Sequence, residues 1–296
     1  MKRTLVVILM TVCMISGAAF ADDHDDNGWA GWDKGFRFAS EDGKNTLKIG
    51  ARVQFRLTNE DPDMGVDQTS FRLRRAKLKL SGQALGQVAY TIQANFAGGS
   101  AELEDAFLVY KKKKMAQLWA GQGKVFFARQ NLTSSGKLQF VDRSIITSVV
   151  EGRRDQGLAL MGQTEEKKFA YQVGVYNGNG VNNSSNDDDN FQYTGRVVYT
   201  PFGEYKTAES SLDRPEKSRL AVGAKVLLEE VDDLAGTVTD KTITGVEVAY
   251  KIGGFNAVGE YFMREDDVTT IATMTQTDTD AFYIQAGYLF ESKPIE

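Results

Sequence analysis

Lys48, Arg52 and Arg56 recur at steps of four within LKIGARVQFRL, residues 47–57. In an extended strand such a step is about 13 Å and keeps all three side chains on one side. The row is a ladder of positive charge. Arginine's planar fork holds two oxygens of a phosphate-like anion at once, and lysine adds a compact point charge. A second set follows at Arg75, Lys77 and Lys79, on the parity opposite to Ala76, Leu78 and Leu80. Phe71 and Leu73 have the wrong parity for one continuous strand. The register is therefore expected to slip near Arg74 and Arg75, and the direction of Arg72 and Arg74 stays open. Arg196 and Lys225 take the polar parity of their own segments. So do the acids Glu229, Glu247 and Glu260, which points to a mixed interior with opposed walls. A wetted strand face without selectivity would carry the same cations.

Other chemistries lack their residues. The only histidine is His24 and the only cysteine is Cys13, both close to the N-terminus. A Ser-His or Cys-His nucleophile and a multi-histidine zinc site are unavailable further along. No phosphate-cradling glycine loop and no nucleic-acid signature occur, so neither an enzyme, a cofactor, a bound metal nor a nucleic-acid partner is expected. Asn186 to Asn190, NDDDN, has ligands for Ca²⁺ or for bridging lipopolysaccharide, but reads first as a solvated turn. Lys111 to Lys114 reads as a soluble cap on a turn.

The elements that must position these side chains are strands. In 47–57, Leu47, Ile49, Ala51, Val53, Phe55 and Leu57 alternate with the polar set without a break. Period two means one apolar and one wet face, and the length suits a tilted strand crossing a bilayer's hydrocarbon layer. Similar segments recur at about 71–81, 86–96, 103–110, 116–125, 156–163, 168–177, 191–200, 218–229, 241–251, 255–263 and 280–290. That makes about twelve strands. Connections after odd-numbered strands run long, 126–155 most of all, and those after even-numbered strands run short. One, 201–217, breaks the rule. Aromatics such as Tyr90, Tyr110, Tyr199, Tyr261 and Tyr288 lie toward segment ends, as interfacial girdles do. The expected fold is all-β, an antiparallel transmembrane β-barrel in the outer membrane, among lipid and lipopolysaccharide. Its four prolines all fall outside the strand cores.

The N-terminus gives the address. Lys2-Arg3, an apolar run from Thr4 to Ala18 and Ala19-Phe20-Ala21 form a signal peptide over 1–21. An acidic periplasmic leader is expected over 22–46, and the barrel over 47–296. The formal net charge is −5. Loss of Lys2 and Arg3 makes the mature chain more acidic still, but many acids lie in the leader and in loops, so net charge says little about an interior.

From residue 47 to 290 the wording resembles the phosphate-selective porin family of outer-membrane channels, porins O and P. The matching stretches include LKIGARVQ (47–54), FRLRRAKLKLSG (71–82), YTIQANFAGGSAELEDAFLVY (90–110), NLTSS (131–135), DRS (142–144), GRRDQGLALMG (152–162), YQVGVYNGNG (171–180), YTGRVVYTPFGEY (193–205) and YIQAGYLF (283–290). The resemblance implies a sixteen-stranded homotrimer whose cations draw small anions such as phosphate inward, past a constriction loop folded into the lumen. On that reading 126–155 is the constriction loop, with Arg129, Arg143, Arg153 and Arg154. Lys124 at its entrance, Arg143 in DRS and Asp105 in LEDA match positions lining the narrow zone; solvated loop charge is the bland alternative. Two departures stand out. The chain ends at Glu296, six residues beyond Phe290 and about four strands short of the family fold, so truncation is expected over a twelve-stranded closure. In GKVFF (123–127) a proline usual after the lysine and one residue is missing. The rival function is a structural or adhesive barrel without selective transport.

Overall fold

The computed structural model describes residues 8–10, 30–32, 35–60, 68–150, 154–183, 185–233, 236–270 and 272–291. The expected cleavage site at 19–21, His24 and Arg153 lie outside the described residues. The chain is all-β and antiparallel. Two units are distinguished, residues 1–108 and 109–296, and each is described by itself. Among the described residues no helix is long and apolar enough to cross a membrane, which says nothing about crossing by strands.

The first unit holds β1 (Ala30–Trp32), β2 (Phe36–Ala39), β3 (Thr46–Glu60), β4 (Gln68–Ala84), β5 (Val88–Asn95) and the start of β6 (Glu102–Lys113). Consecutive strands pair antiparallel from β1 to β5. The ladder β3–β4 is the longest, and its register shifts once. Gln54 faces Arg75 and Phe55 faces Leu73, so Arg74 is one extra residue on β4. That is a β-bulge, at the place where the parity of Phe71 and Leu73 demanded a slip. One extra residue re-aims everything before it by one face. Phe71 can then stack on Phe55, ring centres 5.5 Å apart, on the apolar side. Sequence reading placed no strand within 22–46; β1 and β2 are short, and FRFA over 36–39 alternates for only two periods.

The second unit continues from the end of β6 through β7 (Ala116–Gly123), β8 (Asp155–Gln163), β9 (Phe169–Tyr176), β10 (Gln192–Tyr199), β11 (Arg219–Asp232), β12 (Val238–Ile252), β13 (Phe255–Thr269) and β14 (Met274–Tyr288). Neighbours from β7 to β14 pair antiparallel. Two single-turn helices, α1 (Arg129–Leu132) and α2 (Ile146–Val149), interrupt the long connection after β7.

Rows across β10 to β14 alternate in chemistry. Val197, Ala224, Val246, Tyr261 and Phe282 are successive cross-strand partners, as are Tyr199, Val222, Val248, Gly259 and Ile284. The row between them holds Gly223, Glu247, Glu260 and Tyr283. The apolar rows are the exposed ones: Phe282 is 66% and Ile284 79% accessible, whereas Glu247 is 1% and Glu260 3%. A water-soluble protein distributes these types the other way. Large apolar side chains outside and carboxylates inside are what a lipid-facing sheet requires.

Candidate functional site

In the first unit, cross-strand pairing decides which cations share a face, because directly opposed residues point the same way. Lys48 lies between Arg37 and Ser81, Gly50 faces Lys79, Arg52 faces Lys77, Gln54 faces Arg75, and Arg56 faces Arg72. The ladder residues Lys48, Arg52 and Arg56 thus share a face with Arg75, Lys77 and Lys79. Two cations that sequence reading did not assign join them. Arg72 is brought round by the bulge at Arg74, and Arg37 arrives on β2 beside Lys48. Alternation of Phe36 and Phe38 with Arg37 was the available signal.

Some of these charges are spent locally. Arg75 is buried and donates from Nη1 to Gln54 Oε1 at 2.7 Å. Lys77 Nζ lies 2.6 Å from Glu104, a buried carboxylate that also accepts from Gln93 Nε2. Glu104, next to the predicted Asp105, was missed; Asp105 itself is buried as well. Arg37, Arg72 and Lys79 are exposed and have no carboxylate partner among the described residues.

In the second unit the polar face carries a belt of alternating charge. Lys225 faces Arg196 on one side and Gly245 on the other, and Glu247 faces Glu260. Two carboxylates directly opposed on adjacent strands repel unless cations intervene. Here three do. Lys225 Nζ is 3.3 Å from Glu247 and in closer contact with Glu260. Arg196 holds Glu247 with two nitrogens, at 2.6 and 3.0 Å. Arg129 reaches it from the connection after β7, at 3.1 Å. Lys225 also lies over the Phe262 ring, 4.5 Å from its centre. Space for the belt comes from small residues: a Cβ on Gly223 would sit 2.9 Å from Glu247 Cγ. Higher on the same face, Glu229 is met by Lys241 at 3.1 Å and by Gln192 at 2.8 Å.

The segment 124–150 lies on this face, bound through its backbone. Glu260 accepts the N–H groups of Arg129 and Gln130 at 2.8 and 2.9 Å, and the Tyr283 hydroxyl at 2.8 Å. Lys124 Nζ donates to the carbonyls of Leu132 and Thr133. Arg143 donates to the carbonyls of Gln130 and Thr133, both at 2.8 Å. Lys124 and Arg143 thus brace the segment's own fold. Arg154 is half-buried just before β8. A cavity of about 400 Å³ opens beside the segment, lined by Arg129, Arg196, Gln172, Tyr171, Tyr205 and Lys167 among others. No group of side chains suited to hold a metal ion occurs among the described residues.

No curated protein matches the chain. Among solved structures it is similar to OmpTdeltaL8, the loop L8 deletion mutant of OmpT, an outer membrane protein of Vibrio cholerae. Identity is 12% over 84% of this chain and 90% of that one, with a TM-score of 0.44. The phosphate-selective porin O and P family matches residues 47–294. With apolar rows outward and charge gathered on the opposite face, the chain belongs to the phosphate-selective porin O and P family and is a porin of the bacterial outer membrane.

Proposed function

We propose that this porin gives passive, anion-preferring diffusion of small solutes, with phosphate among them. The observation that carries the reading is the opposed basic face of β2, β3 and β4. Arg37 faces Lys48 and Arg56 faces Arg72, with Lys79 on the same side, so cations cluster on one face, and a clustered positive field draws anions toward it. Rings of Arg and Lys replace an anion's lost hydration at little reorganisation cost. Arg37, Arg72 and Lys79, exposed and without a carboxylate partner among the described residues, are the groups best able to do so, since a cation already held by a carboxylate offers a passing anion little.

The belt of the second unit supports a different role. Arg129, Arg196 and Lys225 are matched against Glu247 and Glu260, so their charges are largely compensated where they stand. They build the wall rather than set its sign. On this reading the protein works as a homotrimer in lipid and lipopolysaccharide, is exported by removal of residues 1–21, and performs no covalent chemistry.

The test is a planar bilayer with purified protein and a KCl gradient. The reversal potential is expected on the anion side, and phosphate is expected to reduce chloride current at millimolar levels. A reversal potential on the cation side defeats the anion reading. Absence of any channel from folded protein favours the adhesive or structural alternative.

A further inference from the structure

One short-turn position carries a long connection. Residues 200–218 join β10 to β11, and four of them, Thr200, Tyr205, Glu209 and Ser211, are buried. The connection is fastened at its far end. Ser211 Oγ donates to the Gly253 carbonyl at 2.7 Å, and the Gly253 N–H donates to the Pro215 carbonyl at 2.8 Å. From that base Glu209 reaches segment 124–150. Its Oε2 accepts the Gln139 N–H at 2.8 Å, its Oε1 accepts from Gln130 Nε2 at 3.2 Å, and its own N–H donates to the Lys137 carbonyl at 2.9 Å. Gln130 in turn holds the Ser144 N–H at 2.8 Å, and Gln139 is bound by Asn256 at 2.9 Å and itself binds the Ala286 carbonyl at 3.0 Å. One carboxylate therefore fixes the outgoing and the returning limb of the segment.

We propose that Glu209 is a positioning residue for conduction: the connection 200–218 is a support that rises under segment 124–150 and fixes how far it stands from the wall. This explains why 200–218 is long where its neighbours are short, and why a carboxylate in a turn is buried. The bore-setting part rests on the porin reading; the clamp itself does not.

Two readouts separate them. Glu209→Gln is compared with Glu216→Gln, an identical chemical change at an exposed site of the same connection, in folded protein that still shifts on heating in detergent gels. Exchange of the Gln139 amide with deuterium is expected to rise about tenfold or more in Glu209→Gln, the loss of one charge-assisted hydrogen bond, and not in Glu216→Gln. Single-channel conductance is expected to change and open-channel noise to grow in Glu209→Gln only. Should Glu209→Gln not fold, Glu209→Asp keeps the charge, shortens the reach and is expected to loosen the same amide. Unchanged exchange in a folded Glu209 variant overturns the clamp. Faster exchange with unaltered conductance overturns the bore-setting role, and faster exchange in Glu209→Gln alongside a wild type that never conducts overturns the porin reading while leaving the clamp standing.

Discussion

Arg72 shows how one extra residue sets a side chain's direction. Two residues further along β4 sits Arg74, the bulged residue, and its extra place in the chain is what sends Arg72 to the basic face opposite Arg56. With no carboxylate partner among the described residues, Arg72 adds a full charge there. Replacing it by glutamine is expected to lower the anion-to-cation permeability ratio about two- to fivefold, by removing one focusing charge, with little effect on folding. The measurement is the reversal potential in a salt gradient, and an unchanged value means Arg72 lies away from the ions' path. Tyr205 offers a titration. Burial pushes its phenol up to about 12, against the neighbouring Arg129 cation, which lowers it. A pKa raised on folding contributes stability that is complete below the unfolded value of about 10 and is lost between pH 10 and 12, at most about 2–3 kcal/mol. Tyr205→Phe should lose less stability between pH 9 and 11.5 than the wild type. Unfolding followed by tryptophan fluorescence in detergent reads the difference.

At the scale of elements, two devices keep charge and grease apart. The bulge lets one strand carry Phe71 and Leu73 outward as well as Ala76, Leu78 and Leu80. Deleting Arg74 should therefore be tolerated, since Leu73 and Arg75 then alternate normally. Deleting Val248, inside the unbulged β12, turns every residue on one side of it over and should abolish assembly. Outer-membrane insertion and heat-shifted mobility distinguish the two. The second device is the charged belt. Lys225 is wholly buried between two carboxylates, and breaking a buried ion pair strands the remaining charge at about 3–5 kcal/mol. Lys225→Met should destabilise by that order, and adding Glu260→Gln should recover part of it. Chemical denaturation of the refolded protein measures both. The belt also accounts for the lie of segment 124–150 on the polar face: backbone N–H groups of Arg129 and Gln130 find in the Glu260 carboxylate an acceptor already aimed at them.

For the whole molecule, the distribution of surface is inverted relative to a soluble protein, with exposed Val, Leu, Phe and Tyr along both units. Folded protein without residues 1–21 should stay in solution only with detergent, and sedimentation after dilution below the micelle concentration checks this. The period-two alternation that makes a strand is a local property of the backbone, so all of the expected strands, their apolar faces and the need for a slip near Arg74 could be read from residue order. Two pieces were too short to announce themselves: β1 and β2 span three and four residues, and Arg37 was missed with them. Sequence also sorted Lys225, Arg196, Glu229, Glu247 and Glu260 onto the wet side. What it could not say is which of those charges meet. Register between strands and the folding of a loop onto a wall bring together groups as distant as Arg129 and Glu260, 131 residues apart. Parity along one strand carries no information about a neighbour. Residue order by itself determined that cations gather on one face; only tertiary structure decided which of them are held by carboxylates, because that depends on distances between separate strands.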